Sequence, residues 1–497
     1  MSALDNIASL KSYFCSELIL IVGILALVFM SFRKGHKEAG YLLPTTLAFL
    51  VMAAAAIFAL PGEAPRTLFM GAIVHDPFGD FFKLLIIATA AVIAVMSASS
   101  RDLDKTAKAE YYAFLLTLTL GLNILSVAND LVMIYLAIEI ASIVSYILAG
   151  YMGSSRRSEE AALKYVLYGG MASGIMIFGM SLLYGLGGSL NLTEIRMYFD
   201  GHATDRLVLF ITFILILAGL GYKMAIAPFH MWAPDTYEGA PLPVTAFLSV
   251  ASKAAGFAVT LRFFSTAFLV KGDGETWVSL KSLDWQTLIV VLSALTMTIG
   301  NFVALHQTNI KRFLAYSSVA HAGYLLMGLA AQNALGIEGT LFYFLVYFIM
   351  NLGGFFVAAL MVDQFGTEEI SDFKGLAKKG TFSFLISVCF SIFLLSLAGI
   401  PPFAGFIAKW YIFSAAIKAN LIGLAVVGVI NSVVSLFYYL RIVKFMLIDE
   451  PNNEHVMTNR VSASSAIIFG FAIMTLYFGL FFSPLVNWTK TSASLFY

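Results

Sequence analysis

Cysteine is almost missing from this sequence: Cys15 and Cys389 stand alone among 497 residues. An iron–sulfur cluster takes about four thiolates, so redox chemistry of that kind must reside on another chain. Charge is scarce as well. Asp, Glu, Lys and Arg make up 12% of the chain, against about a quarter in a soluble domain. A net charge of +1 gives no reason to expect an acidic or nucleic-acid partner. The opening MSALDNIASL has no basic stretch ahead of the apolar run that follows, and no cleavable signal peptide is expected. What is abundant is oil: 60% of the residues are hydrophobic.

Apolar runs long enough to cross a bilayer, about 17–25 residues each, recur from end to end. We count about fourteen, which predicts an all-α polytopic membrane protein. They include span five at 131–151, span seven at 206–228, span eight at 242–266, span ten at 313–331 and span fourteen at 463–486. The run at 402–447 is too long for one crossing, and the run before it ends at 399–402. Residues 380–417 are therefore read as one broken helix, span twelve, and 420–447 as the next. Lys and Arg number sixteen in the odd-numbered connections and six in the even ones. The positive-inside rule then places the odd loops in the cytoplasm and both termini on the periplasmic side of a cell inner membrane.

Within this oil lie charges. An ionisable group at the bilayer centre costs about 2.5–3.5 kcal/mol to insert and calls for a function. Glu139 falls about nine residues into span five, near the midplane, and Tyr135, Glu139, Ser142 and Tyr146 share one helix face by their spacing. Lys223 is comparably deep in span seven. Lys253 shares a face of span eight with Thr245, Ser249, Gly256 and Thr260, and Lys409 follows the break in span twelve. Alternative readings exist for each. Glu139 could pair with a lysine merely to hold helices together. Lys83 and Lys164, near span ends, are expected to extend to the interface, and Glu17 and Arg262 to be interfacial or structural. His321, in YSSVAHAGY, stands evenly between relay and packing residue, while His230 and His306 lean towards local structure. A buried lysine has a physical use, because moving its counter-ion or admitting water switches it between charged and neutral.

Two spans are interrupted by proline. Pro228 in KMAIAPFH, and Pro401 and Pro402 in LAGIPPFAGFIAK, remove backbone donors, and irregular backbone survives at membrane depth only when buried or lining a wet cavity. Interrupted helices in corresponding places of two halves point to inverted repeats. Spans 4–8 offset onto spans 9–13 match seven with twelve, so that both broken helices carry a lysine near the break. The predicted organisation is 1–109 for the first three helices, 110–267 and 285–447 for two inverted five-helix repeats, and 460–497 for a last helix.

The stretches KMAIAPFHMWAPDTYEGAPLPVTAFLSVASKAAGFAV (223–259), HQTNIKRFLAYSSVAHAGY (306–324) and LAGIPPFAGFIAKWYIF (397–413) resemble the antiporter-like membrane subunits of proton-translocating NADH:quinone oxidoreductase, respiratory complex I, and the resemblance covers essentially the whole chain. Of the three such subunits, the L type carries a long C-terminal lateral helix, whereas this chain ends soon after span fourteen. The M type usually has a glutamate where this chain has Lys409. The resemblance is therefore to the N type. It implies that Glu139, Lys223, Lys253 and Lys409 carry proton translocation, with His321 as a looser relay match. It also implies that this chain binds no cofactor or metal, while NADH, FMN, iron–sulfur clusters and quinone are held by other subunits. The partners implied are the M-type subunit, the small subunits towards the quinone arm, and lipid. A subunit of a multisubunit Na⁺/H⁺ antiporter, or of a ferredoxin- or deazaflavin-dependent relative of complex I, is the alternative.

Overall fold

A computed structural model describes residues 13–32, 39–59, 65–103, 108–153, 155–202, 205–271, 277–279, 284–451, 457 and 463–494. Helices α1 (Cys15–Ser31) and α2 (Ala39–Ala59) precede a hairpin of β1 (Arg66–Leu68) and β2 (Ile73–His75). Next come α3 (Pro77–Ser99), α4 (Lys108–Val127), α5 (Leu131–Ala149), α6 (Arg156–Gly187) and the short α7 (Leu192–Gly201). The first broken helix is α8 (Arg206–Met224) with α9 (Trp232–Gly239), followed by α10 (Leu242–Phe268). A second hairpin, β3 (Leu269–Lys271) and β4 (Trp277–Ser279), leads to α11 (Trp285–Ala304), α12 (Ile310–Ala330) and α13 (Ala334–Phe365). The second broken helix is α14 (Thr381–Ala398) with α15 (Ala404–Lys418), and α16 (Ile422–Leu447), α17 (Ala463–Leu480) and α18 (Ser483–Ala493) follow. Among the described residues thirteen helices are long and apolar enough to cross a membrane, and α1, at 17 residues, is a shorter apolar helix beside them.

Alternate connections gather on opposite faces. On one face, Ile73 bridges Ala128 and Asp130 bridges Asn191. Tyr13, at the start of α1, lies 5.1 Å from the His75 ring, and Trp488 of α18 lies 5.1 Å from Phe81. Both ends of the described chain thus share the hairpin face, as an even number of crossings requires. On the other face, Arg312 binds Asp235 at 2.7 Å and Glu238 at 2.8 Å, Lys164 reaches Asp235 at 2.7 Å, and Lys311 reaches Glu368 at 2.8 Å. Burial pushes the Asp235 carboxyl up, but the hydrogen bonds from Lys164 and Arg312 outweigh it and hold the group below the usual carboxylate range. This face carries the odd connections, and Lys164 reaches it as expected. Of the basic residues that set the loop count, Arg33, Lys34, Lys37, Lys105, Lys281 and Arg460 lie outside the described residues.

Lys83 departs from expectation. It does not extend to an interface but is buried, with its Nζ 2.7 Å from Oε1 of a fully buried Glu17. Counting from the span end misplaced it because its partner arrives on α1, far away in sequence. Arg262 is likewise internal. Its guanidinium donates to both oxygens of Asp76, at 2.6 and 2.9 Å, and Asp76 also caps α3 by accepting from Gly79 N at 2.6 Å.

Helices α10 and α12 form the centre. The apolar window of α10 is 100% buried and that of α12 94%, against 28% for α2. Their polar residues therefore face protein, which is the arrangement that makes an intramembrane charge tolerable.

Candidate functional site: a row of buried lysines

The two helix breaks are built alike. Helix α8 ends in Ala225, a left-handed residue with φ 55°, and α14 ends in Gly399, with φ 84°. In each, the amide after the left-handed residue reaches back five positions: Ile226 N donates to Gly221 O at 3.0 Å, and Ile400 N to Leu395 O at 3.2 Å. Carbonyls that would otherwise be orphaned at the helix end are thereby partly satisfied. The Ala227–Pro228 and Pro401–Pro402 bonds are cis. Ala225 and Gly399, Ile226 and Ile400, and Pro228 and Pro402 each stand 174 residues apart. The helix therefore turns at Ala225, three residues before the proline that marks the break in the sequence.

Both broken helices carry a lysine near the break, and the register shows how the two differ. The two lysines lie near the breaks but do not correspond: the same offset sets Lys223 against Leu397, and Lys409 against Asp235. Lys223 sits before its break, in the last turn of α8. Lys409 sits after its break, on α15, and folds back so that its Nζ donates to Ala398 O, at the end of α14, at 2.8 Å. Lys223 Nζ reaches across to Ser142 on α5, whereas the Lys409 ammonium occupies the carbonyl-rich, negative end of a half-helix, where a cation is favoured.

Gly399 makes room for this. A Cβ there would come 2.7 Å from Lys409 Cδ, and the left-handed backbone costs a side-chain-bearing residue roughly 1–2 kcal/mol. Gly399→Ala is therefore expected to lower the thermal unfolding midpoint. Gly423→Ala, where a Cβ meets nothing within 4 Å, is the control and should leave it unchanged or raised.

The predicted residues come together as one row across the bundle. Glu139 on α5 accepts a hydrogen bond from Ser173 of α6. One turn on, Ser142 accepts from Lys223 Nζ at 3.4 Å. Lys223 is 1% exposed and packs against α10 at Gly256, where a Cβ would sit 3.4 Å from the Lys223 carbonyl carbon. Lys253 follows a π-helical turn at Leu248–Ser252, a local widening common at functional sites. Its Nζ donates to Ser318 O on α12 at 2.6 Å. From Ser318, the next turn of α12 brings His321, whose Nδ1 lies 2.6 Å from the Tyr343 hydroxyl and whose Nε2 lies 3.3 Å from the Tyr439 hydroxyl. Tyr439 also bonds Ser317 at 2.5 Å. Lys409 then stands 4.7 Å over the Tyr324 ring and donates to Ser432 Oγ at 3.0 Å.

The row thus runs Glu139, Lys223, Lys253, His321, Lys409, on five helices, and each lysine meets a hydroxyl or a main-chain carbonyl. Glu139 and Lys223 both meet serines beside α5, Ser173 and Ser142, and no ion pair joins them among the described residues. His230 is buried in the first break, and His306 is exposed on the odd-connection face. Ser173, Ser318, Tyr343, Tyr439 and Ser432 escaped sequence reasoning, since hydroxyls are common in such helices and nothing local marks which one faces a lysine. Among the described residues no group of three or more His, Cys, Asp and Glu is placed to hold a metal ion.

A family model described as "NADH:quinone oxidoreductase/Mrp antiporter, TM" matches residues 128–435. NADH-quinone oxidoreductase subunit N of Anaeromyxobacter sp. is 41% identical, over 97% of this chain and 96% of that one. A chain of respiratory complex I from Thermus thermophilus is 29% identical and superposes with a TM-score of 0.78, over 95% of this chain and 98% of that one. A chain of the Mrp complex from Dietzia sp. shares the fold, with a TM-score of 0.81 at 24% identity and 97% coverage of both chains. The chain belongs to the family of antiporter-like membrane subunits shared by NADH:quinone oxidoreductases and Mrp antiporters. Within that family its full-length similarity is to the N-type subunit.

Proposed function

We propose that this chain is the N-type membrane-arm subunit of an NADH:quinone oxidoreductase, and that it moves protons across the membrane while carrying no redox centre itself. The observation that carries this reading is the row from Glu139 to Lys409, in which three buried lysines each meet a hydroxyl or a carbonyl and none has a carboxylate of the described residues within ion-pair distance. Lysines built only to hold helices together would each be expected to have a carboxylate partner, as Lys83 does.

In this mechanism the Glu139 carboxylate sets the charge state of Lys223 through its field, and Ser142, one turn along α5, holds the lysine. A proton passes by way of Lys253 and the His321–tyrosine cluster to Lys409. Residues 110–267 and 285–447 act as the two inverted halves, with the breaks at Ala225 and Gly399 giving water its access. The adjoining subunits are the M-type subunit and the small subunits towards the quinone arm. The membrane is a cell inner membrane with both termini outside. Electrons pass through NADH, FMN, iron–sulfur clusters and quinone on other subunits.

Glu139→Gln tests the reading, because it keeps the shape and the Ser173 contact but removes the charge. Proton pumping by membrane vesicles should fall severalfold, with the complex assembled in normal amount. Loss of assembly would instead assign Glu139 a structural role, and unchanged pumping would take it out of the path.

A further inference from the structure

Four ionisable side chains outside the lysine row gather where α1 and α3 meet the first hairpin. Lys83 Nζ lies 2.7 Å from Glu17 Oε1. His75 Nδ1 lies 3.4 Å from Asp80 Oδ1. Asp80 and Lys83 are three residues apart on α3 and so share a face. Glu17 is fully buried, and among the described residues its Oε2 has no hydrogen-bond partner.

The other charges described around this group have positions of their own. Arg262, from α10, is committed to Asp76 by two short bonds. Arg66, on β1, lies over the Tyr13 ring at 5.0 Å and is exposed. Lys490, on α18, is exposed, and the charged residues of α4, Lys108 and Glu110, stand at its opposite end. Among the described residues, two carboxyls, Glu17 and Asp80, therefore share this pocket with one lysine, Lys83, and one imidazole. An uncompensated buried charge costs several kcal/mol. One proton on His75, Asp80 or Glu17 removes that cost.

The group also has an outlet. Asp80 is 21% exposed and His75 7%, both on the hairpin face, whereas Glu17 behind them has no contact with solvent. The group is separate from the lysine row: Arg262, beside it, is nine residues along α10 from Lys253, about 13 Å at 1.5 Å per residue.

We propose that Glu17, His75, Asp80 and Lys83 form a second proton-binding site, which holds one proton and exchanges it with water on the hairpin face. Because Asp80 is the exposed member, the proton enters and leaves through it, and Lys83 holds the charge count at one.

The test is infrared difference spectroscopy on the full chain in lipid nanodiscs, titrated with pH and read at the carboxylic-acid and imidazolium bands. Asp80→Asn and Glu17→Gln each leave one carboxylate against Lys83, so each should lose one proton equivalent relative to the unaltered chain. Lys83→Met leaves two carboxyls without their cation and should gain one. The bound-proton band should shift promptly on transfer to D₂O. The two amide variants are near-isosteric, and thermal unfolding checks that each is folded. Proton signals identical in all four proteins would overturn the site, and a band that does not shift in D₂O would overturn its exchange with water. Neither result depends on any redox partner, so the outcome is independent of the function proposed above.

Discussion

Lys223→Met should leave a complex that assembles but pumps protons roughly a hundredfold more slowly through this subunit. The magnitude follows from what the ammonium does. Without a group to hold it, a proton must pass the first half of the bundle as a bare charge, at about 2.5–3.5 kcal/mol. Each 1.36 kcal/mol is about a factor of ten in rate. Methionine fills a similar volume and is apolar, so the packing of α8 against Gly256 is preserved, and the loss can be read as loss of the charge. Pumping and NADH:quinone electron transfer in vesicles, beside assembly on native gels, make the measurement. If pumping survives at near-normal rate in an assembled complex, Lys223 is a packing residue, and the path must be traced through other side chains.

The second large effect concerns stability. Asp76→Ala should prevent the subunit from accumulating in folded form. It strands the Arg262 guanidinium, 2% exposed, without the carboxylate that receives two of its hydrogen bonds, and breaking such a pair costs about 3–5 kcal/mol. Loss of the α3 cap adds about 1 kcal/mol. Set against a net stability of about 5–15 kcal/mol, this is a large fraction of the total. The double variant Asp76→Asn with Arg262→Met keeps the cap and removes both charges. It should recover most of the folded protein, since apolar replacement of a whole buried pair is often neutral. Thermal unfolding of the three proteins decides it: a double variant as unstable as Asp76→Ala would mean that the ion pair itself is indispensable.

How much of this could be read from residues alone depended on whether the signal was local. Glu139, Lys223, Lys253 and Lys409 were legible because a charge inside a twenty-residue apolar run is conspicuous by itself. The interruptions at Pro228 and Pro401–Pro402 were legible for the same reason, although the turn is made by Ala225 and Gly399. Partners were not legible. Arg262 bonds Asp76 across 186 residues and Lys223 meets Ser142 across 81, and no periodicity connects positions so far apart. Lys83 shows the cost, because depth counted along its own helix said nothing of the glutamate that α1 brings beside it. The two halves each carry a lysine near a break, and what they repeat in register is the turn.

That last difference has a mechanical side. Lys223 belongs to the half-helix at whose end it sits and reaches Ser142 on α5, so rocking of α9 leaves that contact in place. Lys409 is a strut across its joint, rooted in α15 and fastened to Ala398 at the end of α14. A slide of one piece past the other by the length of a hydrogen bond detaches it. The first lysine therefore answers to what α5 presents to it, and the second to how its own helix is bent, so a signal arriving as charge and a signal arriving as movement have separate points of entry into the same row.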